Sequence, residues 1–258
     1  MRRWHHEVSA EWLKARQQVL TATDVAGLMP EYKRYLKAGS PDKPTPGFSA
    51  IWCKKNSDTY LDTDSVGAAA RGHIMEPYVV DAWNMQMPDK FHHWDDCIVL
   101  DSTGKLGFSP DAMDIEQHGG VVLRGADAKE VMEIKCYEPP AHMKAIMKEK
   151  MDHDELMQLA MAFVVLPDLE AARLTWYCPG APIPMFSQRY TGDDLHDQIR
   201  WIMEIAEVYY GKVCPAMEKA VAGGTWMDAV YTEDEIYADF IADTQSSGEF
   251  VLKRGGNL

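Results

Sequence analysis

Two carboxylates and a lysine near the middle of the chain have the types and spacing that metal chemistry requires. Asp111 closes the segment Gly-Phe-Ser-Pro-Asp, and Glu133 and Lys135 lie in the apolar run Val-Met-Glu-Ile-Lys. Side chains along a β-strand alternate between its faces, so Glu133 and Lys135 share one face and Ile134 takes the other. Because buried charges are costly unless satisfied, we expect a divalent cation on Asp111, Glu133 and the backbone carbonyl of Ile134.

This set of groups suits metal-assisted hydrolysis of a phosphodiester. That reaction uses oxygen ligands for a hard cation, a nucleophilic water and a group that orients or deprotonates the water. Lys135 can neutralise charge on the attacked phosphate or lower the pKa of the water. A Glu-x-Lys pattern alone is also typical of an exposed strand face, but the apolar flanks and the preceding Asp111 favour a metal-dependent phosphodiesterase site.

Two polar residues on predicted helices are candidates to complete this site. Glu76 lies in an apolar stretch of a helix predicted over 68–85, where it is either a further ligand or a solvated residue. Gln158 interrupts an apolar helix predicted over 153–165, where it either reaches the site or bonds to backbone in the core.

A third group near the N-terminus suits a terminal phosphate. Arg16 is followed by Thr21 and Thr23 at the predicted start of a second helix. A guanidinium, two hydroxyls and the N–H groups of a helix N-terminus can share one anion. The alternative is an ordinary capped helix with a surface arginine.

The composition indicates a soluble globular protein in the cytoplasm. Hydrophobic residues make up 46% of the 258 residues and charged residues 26%, which suits one sizeable core. No apolar run approaches the roughly 20 residues that span a bilayer, and the N-terminus lacks a signal-peptide pattern. The five cysteines are widely spaced without a Cys-x-x-Cys, which predicts reduced thiols and disfavours disulfide, zinc and iron–sulfur sites.

The distribution of charge matters more than its sum. The net charge of −14 is unusual for a DNA-binding protein, but residues 1–55 hold ten Lys or Arg and five Asp or Glu, a net +5. The rest of the chain therefore carries −19. Acidic surface would repel DNA everywhere except at one oriented site, although solvated faces alone can produce such a distribution.

The apolar periodicity and turn signals predict an α/β fold with a mixed central sheet flanked by helices. We expect two short helices over 10–38, a loop over 39–47, and a kink or late start at Pro77 in the helix over 68–85. Strands are expected over 97–100, 107–112, 121–123, 131–135, 171–178 and 185–190, with a hairpin turn at 101–104, and helices over 141–150, 153–165 and 193–220. One nuclease domain over 1–258 is expected, with 225–258 as a C-terminal extension in which 233–243 has the pattern of a short helix.

In their order along the chain, these motifs resemble those of the lambda-type phage exonucleases and the wider group of phage-type recombinases with the same restriction-endonuclease-like nuclease core. The matching pieces are Trp12-x-x-x-Arg16 with Thr21-Ala-Thr23-Asp24, Gly72-x-x-x-Glu76, Ser109-Pro-Asp111, Glu133-Ile-Lys135 and Gln158. The resemblance covers about residues 10–215. The segment between Asp111 and Glu133 is longer than in the family, and the tail beyond about 225 is not covered.

The resemblance implies a role for each matching residue. Asp111, Glu133 and the Ile134 carbonyl would bind Mg²⁺ or Mn²⁺, Lys135 would be the catalytic lysine, Glu76 and Gln158 would complete the site, and Arg16 would hold a 5′-phosphate. It also implies 5′-to-3′ digestion of one strand of duplex DNA from its ends. The partners implied are two further copies in a ring-shaped homotrimer and a single-strand annealing protein.

Two other functions remain open on the same residues. One is a structure- or sequence-specific endonuclease of the same core. Arg16 and the two threonines argue against it, because they favour binding to DNA ends. The other is a non-catalytic DNA-binding protein that kept the fold. A degenerate site would have lost Asp111, Glu133 or Lys135, and all three are present.

Overall fold

The computed structural model describes residues 9–39, 45–56, 68–118, 120–147 and 152–223. Within these ranges the chain alternates helices and short strands. The helices are α1 (Ala10–Gln17), α2 (Ala22–Lys37), α3 (Pro46–Lys55), α4 (Ala68–Gln86), α5 (Pro139–Ile146), α6 (His153–Val165), α7 (His196–Val208) and α8 (Cys214–Ala222). The strands are β1 (Leu20–Thr21), β2 (His92–His93), β3 (Ile98–Leu100), β4 (Leu106–Phe108), β5 (Ala112–Met113), β6 (Val122–Arg124), β7 (Glu130–Cys136), β8 (Ala171–Tyr177) and β9 (Met185–Tyr190).

The strands form two sheets, and both contain parallel and antiparallel pairs. One sheet has the order β1-β4-β3-β6 and the other the order β2-β5-β7-β8-β9. In the second sheet β7 and β8 run parallel, with Glu133 beside Leu174 and Lys135 beside Trp176. Strands β5 and β9 pair antiparallel on either side of them. The predicted α/β class with mixed sheets flanked by helices is confirmed.

The predicted hairpin is present between β3 and β4. The two strands pair antiparallel with Leu100 opposite Gly107. Asp101 fixes the turn, because its Oδ1 accepts hydrogen bonds from the backbone N–H groups of Lys105 at 2.8 Å and Leu106 at 3.0 Å. Gly104 adopts φ +70°, which a residue without Cβ adopts readily.

The strand predicted over 107–112 is wrong as a single element. The chain leaves the first sheet after Phe108 and enters the second at Ala112, so that Ser109, Pro110 and Asp111 form a crossing between the sheets. Pro110 has no N–H to give to a ladder, which explains why strand pairing stops there. Asp111 is therefore presented at the junction of the two sheets.

The two faces of β7 have different neighbours. Met132 and Ile134 pack in a buried cluster with Val79, Val80 and Trp83 of α4. The opposite face carries Glu133 and Lys135, and α6 lies over it. Helix α6 is buried along most of its length, through Met157, Leu159, Ala160, Met161 and Ala162. The charged face of β7 therefore lies against a central helix rather than against bulk solvent.

The C-terminal helix is less regular than the predicted single helix over 193–220. It consists of α7, a π-helical segment from Tyr209 to Val213, and α8. Pro215 has no N–H to donate to the carbonyl four residues before it, and its ring would clash with that carbonyl. This explains the widened π-helical turn just before Pro215. Helix α5 likewise begins at Pro139 rather than after it, because proline is tolerated in a first helical turn.

The remaining sequence predictions have mixed outcomes. Helix α4 runs through Pro77 from Ala68, so the late start is wrong. Residues 40–44 of the predicted loop over 39–47, and the predicted helix at 233–243, lie outside the described residues, and α3 begins at Pro46. The chain divides into two compact units, 1–215 and 216–258, and the second is described over 216–223 only. The single domain over 1–258 with its extension stays a prediction.

Two chemical expectations can be compared with the structure. All five cysteines are free thiols, as predicted. In the described part of the chain, every helix is too short or too polar to cross a bilayer.

Candidate active site

Three predicted site residues form one hydrogen-bonded group on β7 and α6. The Lys135 ammonium donates to Glu133 Oε1 at 2.7 Å and to Gln158 Oε1 at 2.8 Å. Glu133 and Lys135 can meet because they are two residues apart on one strand face. Gln158 reaches them from the helix that covers this face, so its side chain is not confined to bonds within the core.

Asp111 joins this group from the crossing between the sheets. Its Oδ2 accepts a hydrogen bond from the backbone N–H of Ile134 at 2.6 Å. Strand β5 pairs antiparallel with β7 through Ala112 and Met132, and continuing that register brings Asp111 opposite Glu133. The two carboxylates predicted to share a metal are therefore on neighbouring strands at the same level.

The electrostatics of the group are dominated by burial and by an excess of carboxylates. Burial raises the pKa of Asp111 well above its usual range, and the nearby charges of Glu133 and Glu76 raise it further. For Lys135, burial lowers the pKa, but Glu133 and Asp111 outweigh it and the net shift is upward. Lys135 is thus held as an ammonium, which suits a fixed positive charge and not a general base.

Glu76 brings two histidines that the sequence did not indicate. Its Oε2 lies 3.4 Å from His73 Nδ1 and 3.7 Å from His93 Nε2. Burial alone would raise the pKa of Glu76, but the two histidines outweigh it and lower the pKa to about 2. The carboxylate is therefore ionised and adds negative charge beside Asp111.

These donors fit a magnesium ion. Mg²⁺ is commonly held by one or two carboxylates, with waters and substrate phosphates completing its octahedron. Asp111, Glu133 and the Ile134 carbonyl offer two carboxylates and one neutral oxygen, in a site whose carboxylates exceed its lysine. Among the described residues, no three His, Cys, Asp or Glu side chains form a ready metal cluster. The binding of Mg²⁺ or Mn²⁺ stays a prediction.

Arg16 lies close to this site through Trp12 and Ser109. The Trp12 indole donates to the Cys97 carbonyl and to Ser109 Oγ, both at 3.1 Å. The Arg16 guanidinium stacks on the Trp12 ring, 4.4 Å from its centroid, and its Nη1 lies 3.5 Å from Ser109 Oγ. The guanidinium is therefore held beside Ser109, two residues before Asp111 in the chain.

The two threonines have different surroundings. Thr21 is buried at the start of α2, where its hydroxyl donates to Asp24 Oδ2 at 2.8 Å within a capping box. Thr23 is exposed. Asp24 also pairs with Lys55 at 2.5 Å, and Lys55 donates to the Arg16 carbonyl at 2.8 Å. The buried hydroxyl of Thr21 is thus engaged in the helix cap, and the binding of a phosphate by Arg16, Thr21 and Thr23 stays a prediction.

A family model spans most of these elements. The model of the YqaJ-like viral recombinase domain matches residues 11–165, which is more than half of the chain. The chain belongs to the YqaJ-like viral recombinase family. The matched span contains every predicted site residue from Arg16 to Gln158. The resemblance to phage-type recombinase nucleases is thereby confirmed.

Solved structures place the viral recombinase domain in a known fold. An alkaline exonuclease (LHK-Exo) from Laribacter hongkongensis is similar at 18% identity, with a TM-score of 0.52, over 81% of this chain and 99% of that one. The structure of LHK-Exo in complex with dAMP matches over the same shares at 18% identity, with a TM-score of 0.54. No curated protein matches. These likenesses confirm the restriction-endonuclease-like fold.

The candidate site combines predicted and unforeseen residues. Asp111, Glu133, Lys135 and Gln158 come together as expected, and Glu76 contributes its charge to them. His93 was not found because it reaches Glu76 through the pairing of β2 with β5, which no sequence spacing reveals. His73 had a readable signal, since it lies three residues before Glu76 on a helix. Their roles in catalysis are untested.

Proposed function

We propose that this viral recombinase is a metal-dependent exonuclease that digests one strand of linear duplex DNA in the 5′-to-3′ direction. The observation that carries the proposal is the Lys135 ammonium bonded to both Glu133 and Gln158, beside the buried Asp111. Carboxylates in excess of their ammonium suit a divalent cation, and the fixed ammonium suits the charge of a phosphodiester bound beside it.

Each residue has a role in this proposal. Asp111, Glu133 and the Ile134 carbonyl would hold Mg²⁺, and the ion would lower the pKa of a water and neutralise charge on the phosphate. Lys135 stabilises the negative charge that develops on the attacked phosphate. Gln158 holds the lysine in position through its 2.8 Å hydrogen bond, and Glu76 strengthens the attraction for the cation.

The preference for DNA ends rests on Arg16. Its guanidinium lies beside Ser109, two residues before Asp111 in the chain, and there it would bind a terminal 5′-phosphate. The proposal agrees with the alkaline exonuclease of the same fold, which is an exonuclease by name and has been solved in complex with the mononucleotide dAMP. We further propose a ring-shaped homotrimer that works beside a single-strand annealing protein in the host cytoplasm.

The test uses labelled DNA with and without Mg²⁺. Linear duplex should be degraded only with the metal, the label at the 5′ end should be released first, and closed circular duplex should stay intact. Cutting of the circle would favour the endonuclease alternative. Binding without any cutting would favour the non-catalytic alternative.

The variant Lys135→Ala tests the role of the lysine in the same assay. Loss of a positioned charge stabiliser should slow cleavage at saturating DNA by roughly 10²-fold or more. Binding to DNA in Ca²⁺ should change far less. Lys129→Ala is the matched control, because Lys129 is half exposed just before β7 and pairs only loosely with the exposed Asp127. A Lys135 variant that cuts normally but binds poorly would assign the lysine to affinity.

A further inference from the structure

Helix α6 is attached to the end of β7 by a second hydrogen bond, which the proposed chemistry does not use. The first attachment is the bond from the Lys135 ammonium to Gln158 Oε1. The second comes from Tyr137, which directly follows β7 and whose hydroxyl donates to Glu155 Oε1 at 2.8 Å. Tyr137 lies close enough to the site that the positive charge of Lys135 acts on its hydroxyl. The pair of Tyr137 and Glu155 therefore borders the candidate site on the same helix and strand.

The two attachments follow each other along the strand and the helix. From Lys135 to Tyr137 the chain advances two residues, or about 6.6 Å when it is extended. From Gln158 back to Glu155 it moves three residues, or about 4.5 Å along a helix, and returns to nearly the same face. One bond would let α6 turn or slide about a single point. Two bonds in series fix both its rotation and its position along the strand.

Both carboxylate oxygens of Glu155 are engaged, although the residue is only 6% exposed. Oε1 accepts from Tyr137, and Oε2 accepts from the backbone N–H of Asp152 at 3.3 Å in the capping box that starts α6. Burial and the Glu155 carboxylate raise the pKa of Tyr137 to about 12, so the hydroxyl stays protonated and donates. A buried carboxylate is costly unless its oxygens are satisfied. Displacement of the first turn of α6 away from Tyr137 therefore carries a free-energy penalty.

Apolar packing holds α6 against the sheet, but such packing is non-directional. Directed hydrogen bonds can place Gln158 more closely, and a misplacement of about 1 Å in a catalytic site can cost roughly 100-fold in rate. We propose that Tyr137 and Glu155 are positioning residues, which fix the first turns of α6 so that Gln158 holds the Lys135 ammonium at the attacked phosphate. The inference rests on the proposed nuclease function and adds two residues to it.

The molecule offers a matched control in a second tyrosine–glutamate bond. Tyr32 donates to Glu204 Oε2 at 3.0 Å, and this bond joins α2 to α7. Tyr32→Phe therefore removes the same kind of bond from helices that carry neither Lys135 nor Gln158. Both Tyr32→Phe and Tyr137→Phe should lower the midpoint of urea denaturation, because each loses one hydrogen bond between elements.

The experiment measures single-turnover cleavage of linear duplex at saturating protein in Mg²⁺, and binding of the same DNA in Ca²⁺. Tyr137→Phe should slow cleavage roughly tenfold and leave binding unchanged, because the lysine keeps its charge and loses its alignment. Tyr32→Phe should change neither property. Glu155→Ala should act like Tyr137→Phe. Glu155→Gln should recover most of the rate, since its amide oxygen can still accept from Tyr137.

A double variant shows whether the pair acts through Gln158. In Gln158→Ala the lysine has already lost the bond that the pair is proposed to align. Adding Tyr137→Phe to that variant should therefore slow cleavage by less than about twofold more. If Tyr137→Phe slowed cleavage by the same factor in both backgrounds, the pair would not act through Gln158 and the inference would be overturned.

Hydrogen exchange separates this inference from the proposed function. In the protein without DNA, the backbone amides of the first turns of α6 should exchange faster in Tyr137→Phe than in the wild type or in Tyr32→Phe. That result in a wild type that cuts no DNA would remove the nuclease assignment and keep the positioning of α6. Unchanged exchange in α6 would overturn the positioning. Wild-type cleavage that Tyr137→Phe does not slow would overturn it as well, and would keep the nuclease.

Discussion

Two buried charge clusters in this protein differ in their balance of charge. Around Asp24, one carboxylate contacts Lys55 at 2.5 Å and Lys54 at 3.5 Å. Around Asp111, the carboxylates of Glu133 and Glu76 add negative charge, and Lys135 opposes them. The first carboxylate is balanced by its lysines, whereas carboxylates are in excess around the second.

The two aspartates titrate in opposite directions for this reason. Burial raises the pKa of Asp24, but Lys55 and the hydrogen bonds from Thr21 outweigh it, and the net shift is downward. Burial raises the pKa of Asp111, and its neighbouring carboxylates add to that effect. Burial alone therefore does not distinguish a structural carboxylate from a functional one, whereas the surrounding balance of charge does.

The largest expected effect is the loss of cleavage in Asp111→Asn. Removal of a metal ligand should lower the rate by about 10³-fold or more, because several kcal/mol of charge stabilisation depend on the cation. The protein should stay folded, since the amide oxygen can still accept from Ile134 N–H. Single-turnover cleavage and circular dichroism measure the two properties. Asp127→Asn, at a 95% exposed side chain, is the control and should cut normally.

The opposite result is expected at the other cluster. Asp24→Ala leaves the ammonium of Lys55 buried without its carboxylate, and it also removes an acceptor from the cap of α2. The free energy of unfolding should fall by about 3–5 kcal/mol, as for other broken buried pairs. Urea denaturation measures it. Asp197→Ala breaks an exposed pair with Arg200 and should cost less than about 1 kcal/mol. Similar losses in both variants would contradict the structural role of Asp24.

A smaller effect is expected for Arg16→Ala, which tests recognition of the DNA end. A charge-assisted contact worth about 1.5–3 kcal/mol corresponds to a preference of roughly ten- to a hundredfold for 5′-phosphoryl over 5′-hydroxyl ends. Arg16→Ala should lose that preference by slowing only the phosphorylated substrate. Arg16→Lys should fall between, because it keeps the charge and loses the planar fork. Equal slowing of both substrates would show that Arg16 supplies general affinity for DNA. Arg34→Ala, at an exposed arginine, is the control.

The smallest effect is a difference in how stability depends on pH in EDTA. The lowered pKa of Asp24 means that its contribution is present above the unfolded value near 3.8 and is lost as pH falls. The raised pKa of Asp111 means that its contribution to stability is lost as pH rises from the unfolded value near 3.8 through the pKa of Asp111 in the folded protein. Asp111→Asn should therefore be more stable than the wild type at neutral pH, and Asp24→Asn less stable. Thermal unfolding below about pH 4 measures the Asp24 slope and unfolding above it measures the Asp111 slope, and slopes of the same sign would refute the contrast.

The sequence predicted the part of the site that depends on local periodicity. Glu133 and Lys135 share a face because strands alternate, and Gln158 was visible as a polar break in an apolar helix. The sequence could not predict contacts that depend on pairing between distant strands. His93 meets Glu76 only because β2 pairs with β5, and the change of sheet after Phe108 was hidden in an apparently continuous strand.

The sequence also did not predict the difference in charge between the surroundings of Asp24 and those of Asp111. Neither spacing nor composition reveals that Lys55 folds back onto Asp24 and not onto Asp111. Lys55 is the last residue of α3, and for this segment the sequence predicted only the loop over 39–47 at its start. The distinction between the two aspartates depended on tertiary contacts that bring cations to one and carboxylates to the other.

The crossing at Ser109–Asp111 has a consequence for when the protein becomes active during folding. Asp111 reaches its place only after β4 has paired with β1 and β3 in one sheet and β5 has paired with β7 in the other. The anchoring strand β5 is only two residues long and both residues are fully buried, so its place depends on the packing of the core around it. A nascent or partly unfolded chain therefore does not hold Asp111 beside Glu133. Under the proposed function, such a chain would not cut DNA until both sheets have assembled.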